Sequence, residues 1–401
     1  MITLKAPKSN SVSGKVNLPA SKSISNRVLI IDALCSENIE ISNLSEARDT
    51  VILKKCLRNL GSVIDVQDAG TTCRFLTAYL SLSGFEGTMT GSDRMKERPI
   101  HILVNCLNEL GAKIEYQEKE GYLPLRIHKS EITGSEVSID GSVSSQYISA
   151  LLLIAPSLPN GLTINIKGIL ASKPYVDITL GLMEYFGVSA DFKGNTIKVE
   201  KQKYKAKPIT IENDWSAASY FYSIAVIAEE CELELPGLFE ESLQGDSKIA
   251  VWMESYGIES KFSEKTLFLS KKRTCEPLEV IDFKHQPDLA QTFLALHCAI
   301  GHNLKLKGVE SLKIKETDRI KAMQIELKKF GAHVIPLEKH TLLNTLGCKF
   351  SEQTIFTYHD HRMAMSIAPL VLLAGSLHFE DEKVVEKSFP NFWKELEQLF
   401  S

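Results

Sequence analysis

The sequence predicts an α/β fold of six repeated units, each with two helices and intervening strands, three units to a domain. Three observations predict it. Good N-cap residues stand before apolar helical runs at Ser144, Ser216, Asp288 and Asp360, 72 residues apart. A helix-like run ends in glycine and turns into a strand-like segment at Gly61, Gly111, Gly187, Gly257 and Gly331, and glycine suits a left-handed helix stop. The start-to-glycine distances barely vary: 40 residues from Ser21 to Gly61, 41 from Gly70 to Gly111, 43 from Ser144 to Gly187, 41 from Ser216 to Gly257 and 43 from Asp288 to Gly331. Asp360 to the last residue, Ser401, is again 41. So long a period marks a solenoid or a symmetric closed array.

At 401 residues the chain is expected to form about two domains. The first unit is short, with nine residues from Gly61 to Gly70 against 33 from Gly111 to Ser144, so a strand pair is missing there. The segment Ile2–Leu18 reads as two strands around a Ser/Gly/Asn turn without a helix of its own, and it is assigned to the other domain's strands. The predicted domains are 18–213, and 1–17 with 214–401. The chain then crosses twice, near 18–20 and 213–215, which makes a hinge.

Composition excludes several classes. The net charge of −4 gives no field for nucleic acid, so anion binding must be local. The eight cysteines show no CxxC pairing and read as thiols in a reducing cytosol. No leader-like start and no apolar run of about 18 residues is present, so a cytoplasmic protein without a membrane span is expected.

The chemistry sits in blocks at helix entries. Ser21-Lys22-Ser23 and Asn26-Arg27 open an apolar helix, with Ser23 and Arg27 on one face. Lys22 and the first-turn N–H groups suit a phosphate or carboxylate, although a capped surface helix has the same look. Gly70 in Asp68-Ala69-Gly70-Thr71 lets backbone approach an anion. In Arg94-Met95-Lys96-Glu97-Arg98-Pro99, Pro99 suits a first helical position, and one guanidinium can clamp an anion bidentately. Ser142-Val143-Ser144-Ser145-Gln146 and Ser172-Lys173-Pro174-Tyr175 offer hydroxyls and an amide beyond what capping uses.

Asp288, after Pro287, is either a cap or a general base. In Lys315-Glu316-Thr317-Asp318-Arg319, Thr317 is the expected cap and Arg319 lies in the first turn. His359-Asp360-His361-Arg362 repeats that arginine. A cation there opposes the helix dipole, which points to an anionic ligand. The two histidines lack a third ligand, so no metal is expected. Lys387 precedes the final helix. Lys22, Arg27, Arg98, Lys315, Arg319, Arg362 and Lys387 thus crowd helix entries, with Asp288 and Glu316 the candidate carboxylates. Such a site wants a pair of substrates with several negative charges.

In this order, along the whole chain, the blocks resemble the 5-enolpyruvylshikimate-3-phosphate synthase (3-phosphoshikimate 1-carboxyvinyltransferase) family. The resemblance implies a two-domain inside-out α/β barrel of six βαβαββ repeats, the enolpyruvyl transferase-like fold. It implies transfer of the enolpyruvyl group of phosphoenolpyruvate to the 5-hydroxyl of shikimate 3-phosphate, with release of phosphate, toward chorismate and the aromatic amino acids. By the resemblance, Ser144, Ser145 and Ser172 hold the shikimate phosphate, with Gln146 and Tyr175 at the ring. Lys22, Ser23, Arg27, Ser311 and Lys315 hold its hydroxyls and carboxylate. Gly70, Arg98, Arg319, Arg362 and Lys387, with Lys22 and Gln146, hold phosphoenolpyruvate. Asp288 accepts the hydroxyl proton, and Glu316 with Lys22 handles protonation of the methylene. No metal or organic cofactor is implied.

The chain departs from the family pattern at Asp68 and Ser311 (Asn is usual at both), at Phe75 for Pro and at His359 for Asn. Asp68 is expected to act as a cap. Gly70 makes glyphosate a possible inhibitor, and a monomer is the default. The alternatives are a UDP-N-acetylglucosamine enolpyruvyl transferase, which would carry a reactive loop cysteine, and a non-catalytic anion-binding protein, which would have lost Asp288, Glu316 or Lys22. RNA 3′-phosphate cyclase, with related repeats, would need a nucleotide-bearing histidine and a more basic surface.

Overall fold

The computed structural model describes residues 1–142, 144–272 and 275–401; Val143 of the serine block lies outside them. The chain divides into two compact units, Met1–Ala20 with Glu212–Ser401, and Ser21–Ile211. These limits lie a few residues from the expected ones for a local reason. Ala20 bridges Asn213 antiparallel, and Asp214 N–H donates to Pro19 O at 2.8 Å. Both crossing segments therefore belong to the larger unit.

One strand order recurs. Val63–Asp65 runs parallel to Gly87–Thr90, which pairs antiparallel with Leu125–His128, and that with Lys113–Tyr116. The same order joins Glu136–Asp140, Leu162–Lys167, Thr196–Val199 and Asp191–Lys193. It joins Val280–Asp282, Leu304–Lys307, Thr341–Asn344 and His333–Pro336 as well. In the fourth such sheet the first strand comes from the amino terminus: Ser11–Lys15 runs parallel to Glu230–Pro236, followed by Thr266–Lys271 and Ile258–Ser263. Ile2–Lys5 closes another sheet, antiparallel to Ser376–Phe379. The short first unit keeps only Ile41–Ser42 beside Ile209–Thr210. Among the described residues six sheets result, and none closes into a β-barrel.

Within each unit the helices are inside. Ser145–Ile154, Trp215–Ile227 and Ala290–Ile300 are buried nearly all round, as helices without a polar face must be. Ser145–Ile154 packs on Lys22–Leu34, Gly70–Leu82 and Lys173–Tyr185, and Ala290–Ile300 packs on Trp215–Ile227 and His361–Ile367. Strands such as Glu230–Pro236 alternate buried and exposed residues, so one face lies on the helices and the other faces water. Helix entries are thereby gathered at strand-to-helix turns, where backbone N–H groups lack intrahelical partners.

The start residues differ in detail. Ser144 and Asp360 are N-caps, as expected. Asp214, not Ser216, caps its helix by accepting from Ala217 N at 3.0 Å, which leaves Ser216 inside the first turn. Asp288 is not the N-cap of Ala290–Ile300, a position taken by Leu289, and it lies in the 3-10 turn Pro287–Leu289. Pro99 precedes the N-cap Ile100 rather than opening the helix His101–Glu109. Gly111, Gly187, Gly257 and Gly331 have positive φ; Gly61 does not, because its helix already ends at Arg58 with an extended-side Asn59 cap.

One core residue sets an acid limit on stability. His297 is fully buried; its Nδ1–H donates to His302 O at 3.0 Å, so Nε2 accepts from Tyr256 OH at 2.6 Å. Burial lowers its pKa from 6.5 to about 4. The unfolded chain takes up this proton below pH 6.5 and the folded chain does not, so stability is lost as pH falls through that window. At pH 5 the loss from this residue is ~2 kcal/mol. Urea unfolding at pH 7 and 5 should show wild type losing that much more than His297→Gln; equal pH dependence would contradict it.

Candidate active site

In the unit Ser21–Ile211, Ser21 caps the first helix by accepting from Ile24 N at 3.4 Å. Lys22 follows as the first helical residue, where the dipole disfavours a cation. Buried Asp49 offsets this, its Oδ2 lying 3.6 Å from Lys22 Nζ. Arg27 is 2% exposed. Its guanidinium donates to Thr179 Oγ1 (2.7 Å), Ser23 O (2.8 Å), Tyr175 O (2.9 Å) and Ser149 Oγ (3.2 Å), and it stacks on Phe75. Four of its five N–H groups are thus engaged by described residues. Burial lowers its pKa to about 10, so it remains a cation at neutral pH.

Gly70 opens Gly70–Leu82 directly against Arg98. A Cβ built on Gly70 would stand 2.6 Å from Arg98 Nη1, so any side chain here displaces the guanidinium. Arg74 fixes the geometry by donating to Gly70 O at 3.0 Å and to Pro99 O at 3.1 Å. Tyr147 OH donates to the same Pro99 O at 2.6 Å. Gln146 Nε2 reaches Thr71 Oγ1 at 3.3 Å, placing its amide over this entry. Ser144 uses its hydroxyl as a cap on Gln146 N, and Ser145 is buried beside it. Ser172 takes a left-handed conformation, φ 54°, and makes no side-chain cap bond. Such a conformation is strained for a residue with a side chain and persists where surroundings fix it.

In the other unit, Arg319 is the centre of charge. It is 2% exposed and holds three carboxylates: Asp360 Oδ2 (2.7 Å), Glu316 Oε2 (3.0 Å) and Asp288 Oδ1 (3.1 Å). Burial alone would lower its pKa, but Asp360, Glu316 and Asp288 outweigh burial and hold it above its ordinary value. Arg362 takes the other Asp288 oxygen, Nη2 to Oδ2 at 2.8 Å. It also reaches Tyr220 OH at 3.3 Å and Ser216 Oγ at 3.4 Å. Lys387, on the turn Lys383–Lys387, lies 3.8 Å from Glu316 Oε1. Asp288 is therefore gripped by two guanidinium groups, and Glu316 stands between Arg319 and Lys387. Lys315 and Ser311 are half-buried near the short turn Glu310–Ile314 that leads into Arg319–Lys328.

Three expectations change here. Asp318, not Thr317, caps Arg319–Lys328, accepting from Lys321 N at 3.1 Å. Asp68 is not the cap of Gly70–Leu82; that position is Ala69, and Asp68 Oδ1 lies 3.7 Å from Arg48 Nε. The carboxylates are also more numerous than Asp288 and Glu316. Asp360 both caps Arg362 N at 2.9 Å and pairs with Arg319, and buried Asp246 accepts from Ser216. A carboxylate next to an arginine-bearing entry was the signal for Asp360; Asp246 had none.

Helices lined at their entries by arginine and lysine, with carboxylates set among them on a six-unit α/β fold, define an enolpyruvyl transferase-type protein. The solved EPSP synthase from Acinetobacter baumannii superimposes with a TM-score of 0.80 at 21% identity, covering 99% of this chain and 98% of that one. The family model for EPSP synthase (3-phosphoshikimate 1-carboxyvinyltransferase) matches residues 7–68 and 62–396. The 3-phosphoshikimate 1-carboxyvinyltransferase of Bacteroides fragilis (strain ATCC 25285) is 46% identical over 397 residues, 98% of this chain and 96% of that protein. The enzyme of the same name from Photobacterium damsela subsp. piscicida is 36% identical over 419 residues, 97% of each chain. The chain belongs to the EPSP synthase family. Its function is that of this shikimate-pathway transferase, and the family acts on phosphoenolpyruvate and shikimate 3-phosphate. No helix among the described residues is long and apolar enough to cross a membrane.

Proposed function

We propose that the chain moves the enolpyruvyl group by addition and elimination, with Asp288 as the base and Glu316 as the acid. The observation that carries this reading is the grip on Asp288 by Arg319 and Arg362 at 3.1 and 2.8 Å, beside a second carboxylate paired to Lys387. Asp288 takes the proton from the 5-hydroxyl as its oxygen bonds to C2 of phosphoenolpyruvate. Glu316, with Lys22, delivers a proton to C3, which becomes a methyl group. The resulting tetrahedral adduct loses phosphate and a C3 proton, restoring the double bond. Arg98, Arg319, Arg362 and Lys387 stabilise charge on the phosphate and carboxylate, as fixed cations do best where charge develops. Ser144, Ser145 and Ser172 hold the shikimate phosphate, with Gln146 and Tyr175 at the ring. Ser23, Arg27, Ser311 and Lys315 serve its other oxygens. The burial of Arg27 leaves it one N–H for this, so its main service is to hold Ser23 and Tyr175 in place.

The two chain crossings serve as the hinge for closure, the protein works as a cytoplasmic monomer, and glyphosate competes beside Gly70. Acceptor choice tests the reading. Phosphate release from phosphoenolpyruvate should appear with shikimate 3-phosphate and be absent with UDP-N-acetylglucosamine. Release with the sugar nucleotide alone would move the chain to the sister activity.

A further inference from the structure

Asp246 lies on the 3-10 turn Gly245–Lys248 and is 6% exposed. Ser216 donates its hydroxyl hydrogen to Asp246 Oδ2. With that hydrogen committed, the Ser216 oxygen can only accept, and Arg362 Nη2 lies 3.4 Å from it. The same Nη2 donates to Asp288 Oδ2 at 2.8 Å. A continuous chain of contacts therefore runs from Asp246 through Ser216 and Arg362 to Asp288. The turn is also anchored at both ends of that chain. Gln286, two residues before Asp288, donates to Gly245 O at 3.3 Å. Gln244 accepts from Trp215 N at 3.2 Å and donates to Asn213 O at 2.7 Å.

We propose that Asp246 is a positioning residue for the transfer, orienting Ser216 so that Arg362 is fixed and Asp288 is held in its working geometry and field. This rests on Asp288 being the base. The charged groups facing Asp246 are Asp288 from the turn before Ala290–Ile300, Asp214 from the entry of Trp215–Ile227, and Arg362 from His361–Ile367; Lys248 shares its own turn. Burial first, and then the Asp288 charge, raise the Asp246 pKa to about 7, against the Ser216 hydrogen bond and Arg362. The repulsion is mutual, so an ionised Asp246 makes Asp288 a stronger base.

The test is the pH profile of kcat/KM for wild type, Asp246→Asn, Ser216→Ala and Asp288→Asn, with folding checked by thermal melting. Asp246→Asn keeps an oxygen for Ser216 and removes the charge. It should lower kcat/KM roughly tenfold and move the acidic limb to lower pH, because Asp288 loses a like-charged neighbour. Ser216→Ala should lower kcat/KM as well, and it serves alone if Asp246→Asn does not fold. Unmoved limbs in both variants overturn the inference, whether or not the rates fall in step with stability. If Asp288→Asn is inactive and both others match wild type, only the positioning role fails. If Asp288→Asn keeps the wild-type rate, the base assignment fails and the inference with it.

Discussion

Asp288→Asn should lower kcat by roughly a hundredfold to ten-thousandfold, the range for loss of a general base. Asparagine keeps the shape and one oxygen acceptor but cannot take the hydroxyl proton. The effect should fall on kcat rather than on KM for phosphoenolpyruvate. In wild type the two carboxylate oxygens occupy Arg319 and Arg362; removing that charge leaves both cations more available to an anion. A fall confined to kcat is therefore expected from steady-state phosphate release at saturating substrate. A rise in KM with kcat unchanged would mean that Asp288 only holds the arginines in place.

Arg319→Met should be the most damaging change to stability. Asp360 is fully buried, and Asp288 and Glu316 are each less than a fifth exposed, at 18% and 15%. Removing the shared guanidinium leaves three carboxylates with their mutual repulsion. Breaking a buried ion pair from one side costs about 3–5 kcal/mol. Arg319→Lys restores charge but not the planar fork that reaches Nε, Nη1 and Nη2 partners together, so it should recover part of the loss. Urea unfolding of the three proteins measures this. A loss below about 1 kcal/mol in Arg319→Met would show that the carboxylates find protons or other partners.

Much of the fold was legible because repetition leaves a spacing. The apolar helices after Ser144, Asp288 and Asp360 are buried nearly all round, and a run without a polar face announces that. The terminal strands at Ile2–Lys5 and Ser11–Lys15 could be assigned away from the first unit by counting what each unit lacked. Caps were read to within a residue or two. Thr317 and Asp318 are adjacent good caps, as are Asp214 and Ser216 two apart, and only the backbone path chooses between them.

The cations at the helix entries stand out in the sequence because lysine and arginine at helix starts break a local rule. Their partners do not. Arg27 is held by Ser149 and Thr179, 122 and 152 residues away in sequence, which makes it an internal brace. Asp360 read as a cap because it is one, and its second bond to Arg319 spans 41 residues. Asp246 stands in a turn with no periodicity and no repeated neighbour. Ion pairs of this kind are products of packing, which no window along the chain contains.

Deuterium incorporation tests the addition–elimination account most directly. The reaction is run in D2O with phosphoenolpyruvate and shikimate 3-phosphate, and the product is examined by mass spectrometry. Protonation at C3 makes a methyl group carrying one solvent deuterium, and elimination removes one of its three hydrogens. The account predicts deuterium in the product's vinyl methylene, with formation slowed in Asp288→Asn and in Glu316→Gln. Product formed at the normal rate with no deuterium would mean that C3 is never protonated, and would contradict it.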